Sequence, residues 1–411
     1  MSIQELLKER KQRGYEIAKT NKVILKGDTW LVPSQSTNKN YEVIPKVDKF
    51  TCNCPGFVET QLKCKHIFAV EITIAKLVKL NDDSAIIEPR KAAYSQDWRA
   101  YDKAVTNQKA LFMKLLHELC ENLPDQPRTA GKGRPKMEMR DMVFASALKV
   151  YSTFSLRRFT TDMIEAQRLG YLAKKPDYST VALYMRDPEL TRILKDLIML
   201  SSLPLKSVEG SFSIDSSGIS PSKYSRWFDH KWGKETDRKL FYKVHVVNGN
   251  ATHIVTAVEV TSQYVADPVM LEQLVAETKQ NFDVLEVMGD KAYSSRKNLE
   301  YIDSIGAIPF IPFKTNSLKV PKGSAIWRNM YNYFTYHQET FLEHYHRRSN
   351  VETVFHMIKS KFLGHVRSKT ETACINEILL KVLCHNICVL IQESFELGIV
   401  SNLLGSETQM T

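Results

Sequence analysis

Three carboxylates in the second half of the chain stand where chemistry could be done. "SIDSSGI" places Asp215 directly after apolar strand residues. "VMGDKAYSS" does the same for Asp290, and Gly289 before it permits close backbone approach. "YHRRSNVETVFHMIK", residues 345–359, reads as a helix carrying Glu352. Three acids, with no cysteine or histidine as ligand, suit hard divalent ions, Mg2+ above all. Two such ions about 3.5–4 Å apart activate a water or a 3′-hydroxyl and stabilise the leaving oxygen in phosphoryl transfer. On that reading Asp215 bridges the ions, and Asp290 and Glu352 each hold one side.

The Glu352 helix carries more than its acid. Tyr345, Arg348, Glu352 and Lys359 stand at offsets of 0, 3, 7 and 14. At about 100° per residue these fall near 0°, −60°, −20° and −40°, on one narrow stripe roughly 21 Å long. Val351, Val354, Phe355, Ile358 and Phe362 cluster to one side of it. Such a stripe suits an extended anionic partner passing the carboxylate. Four histidines, His230, His245, His346 and His356, stand where they could assist.

A second constellation lies near the N-terminus. "FTCNCPGFVETQLKCKHIFAV" holds Cys52-x-Cys54, nine residues, then Cys64-x-His66. Three thiolates and one imidazole make a closed tetrahedral set for structural zinc, with no position open to water. Pro55-Gly56 signals a turn after the first pair. "HIFAVEITIAKLV" predicts a helix with His66 in its first turn, and "YEVIPKVDKFTC" alternates like hairpin strands. The spacing resembles the SWIM zinc finger over roughly residues 38–75. That resemblance implies a small module for DNA or for a protein partner.

These sites need elements to position them. From residue 208, "GSFSIDSSGI", "RKLFYKVHVVNG" and "THIVTAVEVT" predict three strands, the last two joined at Asn248-Gly249-Asn250. "DPVMLEQLVAETKQN" predicts a helix opening at Asp267-Pro268, followed by the Asp290 strand. A helix stopped by Gly306, the extended "AIPFIPFK" and the Glu352 helix come next. This order fits a mixed sheet flanked by helices and resembles the ribonuclease H-like fold, with Asp215 and Asp290 at strand ends, where functional residues gather.

Ahead of it, residues 76–130 read as helix ending in the break "LPDQPRTAGKGRPK". "GKGRPK" resembles the Arg-Pro insertion of AT-hooks, which makes Arg134 and Lys136 candidate DNA contacts. Residues 137–172 and 179–203 read as amphipathic helices, with Ser179-Thr180 as an N-cap of the second run. The expected class is multidomain α+β. Its parts are a zinc module (1–80), a helical linker (81–130), a helical, DNA-binding domain (131–205), an α/β catalytic domain (206–370) and a C-terminal helix (371–411).

The whole chain sets bounds. Its 411 residues suffice for two or three domains. Fifty-seven Lys and Arg against 46 Asp and Glu give a net charge of +11, which favours a polyanionic partner, most simply nucleic acid. The longest apolar run, "EILLKVLCHNICVLI", is broken by Lys381, His385 and Asn386, so no membrane span is expected. The charged start "MSIQELLKERKQRGYE" lacks an apolar signal core. Seven cysteines, an odd number with three crowded together, point to metal rather than to a disulfide framework. A cytoplasmic, nucleoid-associated protein is expected.

The chain resembles DDE transposases of bacterial insertion sequences over about 131–395. "SIDSSGI" is similar to that family's first-Asp strand and "VMGDKAYSS" to its second-Asp block. Tyr345-x2-Arg348-x3-Glu352-x6-Lys359 is similar to the Y-x2-R-x3-E-x6-K signature of one large group. The intervals are 75 residues from Asp215 to Asp290 and 62 from Asp290 to Glu352, too short for the large β-insertion some members carry, although Trp327 falls within the second. The resemblance implies cutting of double-stranded DNA at element ends and joining of 3′-hydroxyls to target DNA, with Asp215, Asp290 and Glu352 as metal ligands. It also implies Tyr345, Arg348 and Lys359 at the DNA, and a homodimer or larger synaptic complex. The alternatives are a domesticated DNA-binding regulator and a ribonuclease H-like nuclease that hydrolyses without joining.

Overall fold

The computed structural model describes residues 3–20, 23–26, 29–35, 39–46, 49–77, 97–121, 123, 136–221, 241–315, 317 and 323–398. In chain order, the N-terminal part holds α1 (Ile3–Thr20), β1 (Ile24–Lys26), β2 (Thr29–Pro33), β3 (Asn40–Pro45), β4 (Phe50–Cys52), α2 (Pro55–Thr60) and α3 (Lys65–Leu77). Six helices follow: α4 (Trp98–Thr106), α5 (Gln108–Glu121), α6 (Met139–Ser152), α7 (Thr160–Arg168), α8 (Tyr178–Tyr184) and α9 (Pro188–Ser202). Then come β5 (Ser211–Ile219), β6 (Tyr242–Gly249), β7 (Val255–Ser262), α10 (Asp267–Lys279), β8 (Glu286–Gly289), α11 (Arg296–Ser304) and β9 (Ile308–Phe310). Four helices close the described chain: α12 (Ala325–Tyr336), α13 (Gln338–Tyr345), α14 (Ser349–Phe362) and α15 (Glu371–Glu396).

The chain forms two compact units, each discontinuous. One is Met1–Arg90 with Ser294–His346; the other is Lys91–Tyr293 with Arg347–Thr411. In the first unit, β1–β4 form an antiparallel sheet in sequence order. β3 and β4 form the hairpin that the alternation predicted, with Val43 set against Cys52. Gly14 lets α1 come close to α3, since a Cβ there would lie 2.6 Å from Phe68 Cβ. Arg10 of α1 donates to Thr60 Oγ1 and to the carbonyls of Leu62 and Lys63. The expected independent module at 1–80 is not what forms. Phe50 and Tyr336 meet with ring centroids 4.0 Å apart, and His337 Nε2 lies 3.2 Å from the Glu71 carbonyl oxygen. Apolar faces of the finger are thus covered by the segment that separates Asp290 from Glu352.

In the second unit the strands run β7–β6–β5–β8. β5 is antiparallel to β6 and parallel to β8. The predicted strand order is present, but the β6–β7 connection is longer than the expected Asn248-Gly249-Asn250 turn. Asn248 and Gly249 still pair in the ladder, and the chain turns over 250–254. Glu209 explains this: its carboxylate accepts from the Ala251 and Thr252 amides and occupies the space a Cβ of residue 249 would need.

One apolar core runs from Ala104 through α5, α6 and α9, the sheet and α14 to Ile391. The expected separate helical domain at 131–205 and the separate C-terminal helix are therefore parts of one body with the sheet. α6 is buried on almost every side, which a free-standing surface helix would not be. The cap of α8 is Asp177, whose side chain accepts from Ser179 N, and not Ser179-Thr180. α15 is long and apolar enough to cross a membrane by length and composition, but 94% of its apolar window is buried inside the protein. The three polar residues that interrupt its apolar run are engaged. Asn386 donates to the Val255 and Ile198 carbonyls and accepts from Val255 N, and His385 Nε2 lies 2.9 Å from the His253 carbonyl. Lys381 Nζ donates to the carbonyls of Leu363 and His365, just past the end of α14.

Candidate active site and metal centre

The parallel pairing of β5 and β8 ends at Ile214↔Gly289. The next residue on each strand is an acid, Asp215 and Asp290, so the two emerge side by side on strands about 4.8 Å apart. Each is held by a local amide: Asp215 Oδ1 accepts from Ser216 N, and Asp290 Oδ1 from Ala292 N. The 3-10 turn Lys291–Tyr293 supplies the second amide.

Residues of one strand face point the same way at every second position. Asp215 and Ser217 share a face, and α14 lies along it. Arg348 Nη2 donates to Asp215 Oδ2 at 2.6 Å, and its Nη1 to Glu352 Oε1 at 3.1 Å. One planar fork thus keeps these carboxylates within about 8 Å of each other. Lys359 Nζ donates to Ser217 Oγ at 2.7 Å. Asp215 and Arg348 are mostly buried, whereas the Glu352 side chain is 64% exposed, so the cluster has an open side. Burial pushes the Asp215 carboxyl upward, and Asp290 adds to this; the Ser216 amide and Arg348 oppose it. Burial pushes the Lys359 ammonium down.

The predicted helix over 345–359 is not continuous. α13 ends at Tyr345, residues 346–348 form a 3-10 turn, and α14 begins at Ser349 with Arg348 as its N-cap residue. The reason is Arg347. It is buried and pairs with the fully buried Glu286 at 3.3 Å, and a tighter turn lets neighbours 347 and 348 reach different carboxylates. The stripe in the second unit is therefore Arg348, Glu352 and Lys359, while Tyr345 and His346 end the first unit.

On the opposite face of β5, Ser216 Oγ donates to Asp267 Oδ1 at 2.6 Å, and Lys243 Nζ reaches the same oxygen at 2.7 Å. Burial works against the Asp267 carboxylate, but these two partners hold its pKa below the usual range. His245 is buried beside Asp267 and kept neutral by that burial. Sequence reasoning missed Arg347, Glu286, Lys243 and Asp267 as site neighbours. Only Asp267 carried a signal, and it read as a helix start. His356 is exposed on α14, and Lys136 is exposed ahead of α6. Trp327 is buried at the start of α12, edge-on to Phe313. Arg134 and His230 lie outside the described residues.

The donor set fits hard divalent ions. Asp215, Asp290 and Glu352 offer carboxylate oxygens only, and the guanidinium between two of them shows that the cluster accepts positive charge.

In the first unit, Cys52, Cys54, Cys64 and His66 are all buried, and their donor atoms lie within 4.8 Å of one another. Cys52 closes β4, Cys54 caps α2, and His66 sits in the first turn of α3, as predicted. Pro55, expected in a turn, instead opens α2 as its first residue. His66 Nδ1 is 3.9 Å from both Cys52 Sγ and Cys64 Sγ. Donors on one tetrahedral zinc ion stand about 3.5–3.8 Å apart, so the set fits zinc closely.

Residues 207–387 match the family model of the transposase DDE domain. The match begins just before β5 and ends within α15, taking in all three acids, and it supports a transposase. It is narrower than the expected 131–395 and covers less than half of the chain. No curated protein and no solved structure matches.

Proposed function

We propose that the protein is a DNA transposase of the DDE type, cutting element ends and joining their 3′-hydroxyls to target DNA. The observation that carries this is the side-by-side exit of Asp215 and Asp290 from β5 and β8, with Glu352 brought beside Asp215 by a shared arginine. The strand order β7–β6–β5–β8, antiparallel then parallel, supports a ribonuclease H-like catalytic fold.

In this reading Asp215, Asp290 and Glu352 would hold Mg2+, which would supply activation of the attacking oxygen and neutralisation of charge on the reacting phosphate. Ser216 N and Ala292 N fix one oxygen of each aspartate, leaving the other for the ions. Arg348, which bridges Asp215 and Glu352, has a planar fork that would suit a DNA phosphate at the same place. Lys359, partly desolvated, adds a point charge farther along the strand, and Tyr345 contacts the DNA beyond Arg348. Arg134 and Lys136 add contacts ahead of α6. A homodimer or larger complex would hold two ends together. Zinc in the Cys52, Cys54, Cys64 and His66 set is structural.

The test is cleavage of a plasmid carrying the gene with its flanking DNA, in Mg2+ and in EDTA. Breaks at the element boundaries need Mg2+ and fall by about a hundredfold or more with Glu352→Gln. Salt-sensitive binding without breaks would make the protein a DNA-binding regulator. Hydrolysis without joined products would make it a nuclease.

A further inference from the structure

A cavity of about 560 Å³ opens in the second unit between the end of α6, α8 and the segment leading into α15. Five cations line it, Lys149, Arg158, Arg186, Arg367 and Lys369, and no carboxylate does. The buried Glu377 behind the wall offsets Lys149 and accepts from the Arg367 and Ser368 amides, and the excess of cations that remains in the wall favours an anionic occupant. The wall also includes the apolar Phe154, Leu156, Ala182, Met185 and Ala373. Arg158 lies 4.7 Å over the Phe154 ring, which stays 38% exposed. Thr153, also in the wall, has φ +55, a strained value for a β-branched residue, and Arg367 Nη1 holds its carbonyl at 2.6 Å.

Cationic rim and aromatic floor together match a nucleotide: guanidinium to phosphate, ring to base. A second cavity, of about 380 Å³, shares Phe154 and reaches Lys361 and Phe362 on the Glu352 helix. Lys361 lies on the opposite side of α14 from Glu352, but the first cavity is tied to the strand of Asp215: the Ser220 carbonyl, about 17 Å from Asp215 along the line of β5, accepts from Val366 N, next to Arg367 of the cavity wall. We propose that this cavity receives the DNA strand a few nucleotides from the reacting phosphodiester, with a backbone phosphate against Arg158 and Lys369 and a nucleoside over Phe154. The inference rests on the DNA-cutting reading of the three acids and adds the course of the strand beyond them.

The test measures binding of a short duplex from the DNA flanking the gene, with Mg2+ withheld and no chelator added, over a range of salt. Arg158→Gln/Lys369→Gln is compared with Lys174→Gln/Lys206→Gln, an equal charge change on exposed lysines outside the cavity. The cavity pair is expected to lose at least about tenfold in affinity and to reduce the log–log salt slope by about two, the control pair far less. Phe154→Leu is expected to lower affinity with the slope unchanged. Should the double variant unfold, Lys369→Gln alone is read for a slope change of about one. Equal losses in the two pairs would overturn the proposal while wild-type cleavage leaves the transposase reading standing. A wild-type protein that neither binds nor cuts this DNA would overturn both.

Discussion

Arg348 bridges Asp215 and Glu352, the acids proposed to hold metal, so on that proposal its guanidinium and the ions would compete for the same oxygens. Arg348→Ala should therefore take up Mg2+ more tightly than wild type, by about threefold or more (~0.6 kcal/mol), read by calorimetric titration. Cleavage should nevertheless fall, because the phosphate loses its fork. Weaker Mg2+ uptake by the variant would show that Arg348 organises the acids instead of competing for them. At this scale the sequence was informative. Asp215 and Asp290, which the fold brings out side by side, stood out as lone acids after apolar strand residues, and the clustering of Cys52, Cys54, Cys64 and His66 was legible from spacing alone. Arg347 was invisible beside Arg348, because nothing in "HRR" says which guanidinium turns inward to a buried acid 61 residues earlier in the chain.

Elements were legible where their partners are near in sequence. The strands, the hairpins and the helix starts at Asp267 and His66 follow from local pattern. α15 followed only in part: its apolarity was plain, but its polar residues read as interruptions when they are anchors to α9, α14 and β7. His385 is one of these anchors. Burial drops its pKa to about 4, so the neutral ring donates to the His253 carbonyl. A histidine depressed in the folded state contributes stability above its unfolded pKa of 6.5 and loses it as pH falls toward about 4. Urea unfolding at pH 7, 6 and 5 should show this as up to about 1.4 kcal/mol per pH unit. His385→Gln, which keeps an N–H donor, should flatten the slope by that amount; an unchanged slope would place the acid sensitivity elsewhere.

At the scale of the molecule, the division into units was hidden. Each unit is assembled from segments more than 200 residues apart in part, and pairings of that range leave no periodic trace. The first unit contains both the zinc set and residues 294–346, so its stability should depend on the ion while the larger core does not need it. Calorimetry is expected to show two transitions, with only one falling on treatment with a zinc chelator or in Cys64→Ser. Elemental analysis should give one zinc per wild-type chain and none in that variant. A single transition, or two that fall equally, would mean that the two units do not unfold independently.

The pairing of Phe50 with Tyr336 also has a consequence for biosynthesis. The first 90 residues leave the ribosome well before the segment that completes their fold. At about 5–20 residues per second, some 250 further residues take roughly 13–50 s. For that interval the β1–β4 sheet, with Phe50 lacking its Tyr336 partner, and the three nearby thiols stand on a nascent chain whose unit is incomplete. Early capture of zinc would protect those thiols from oxidation, and the supply of metal during translation would then govern how much of the protein matures.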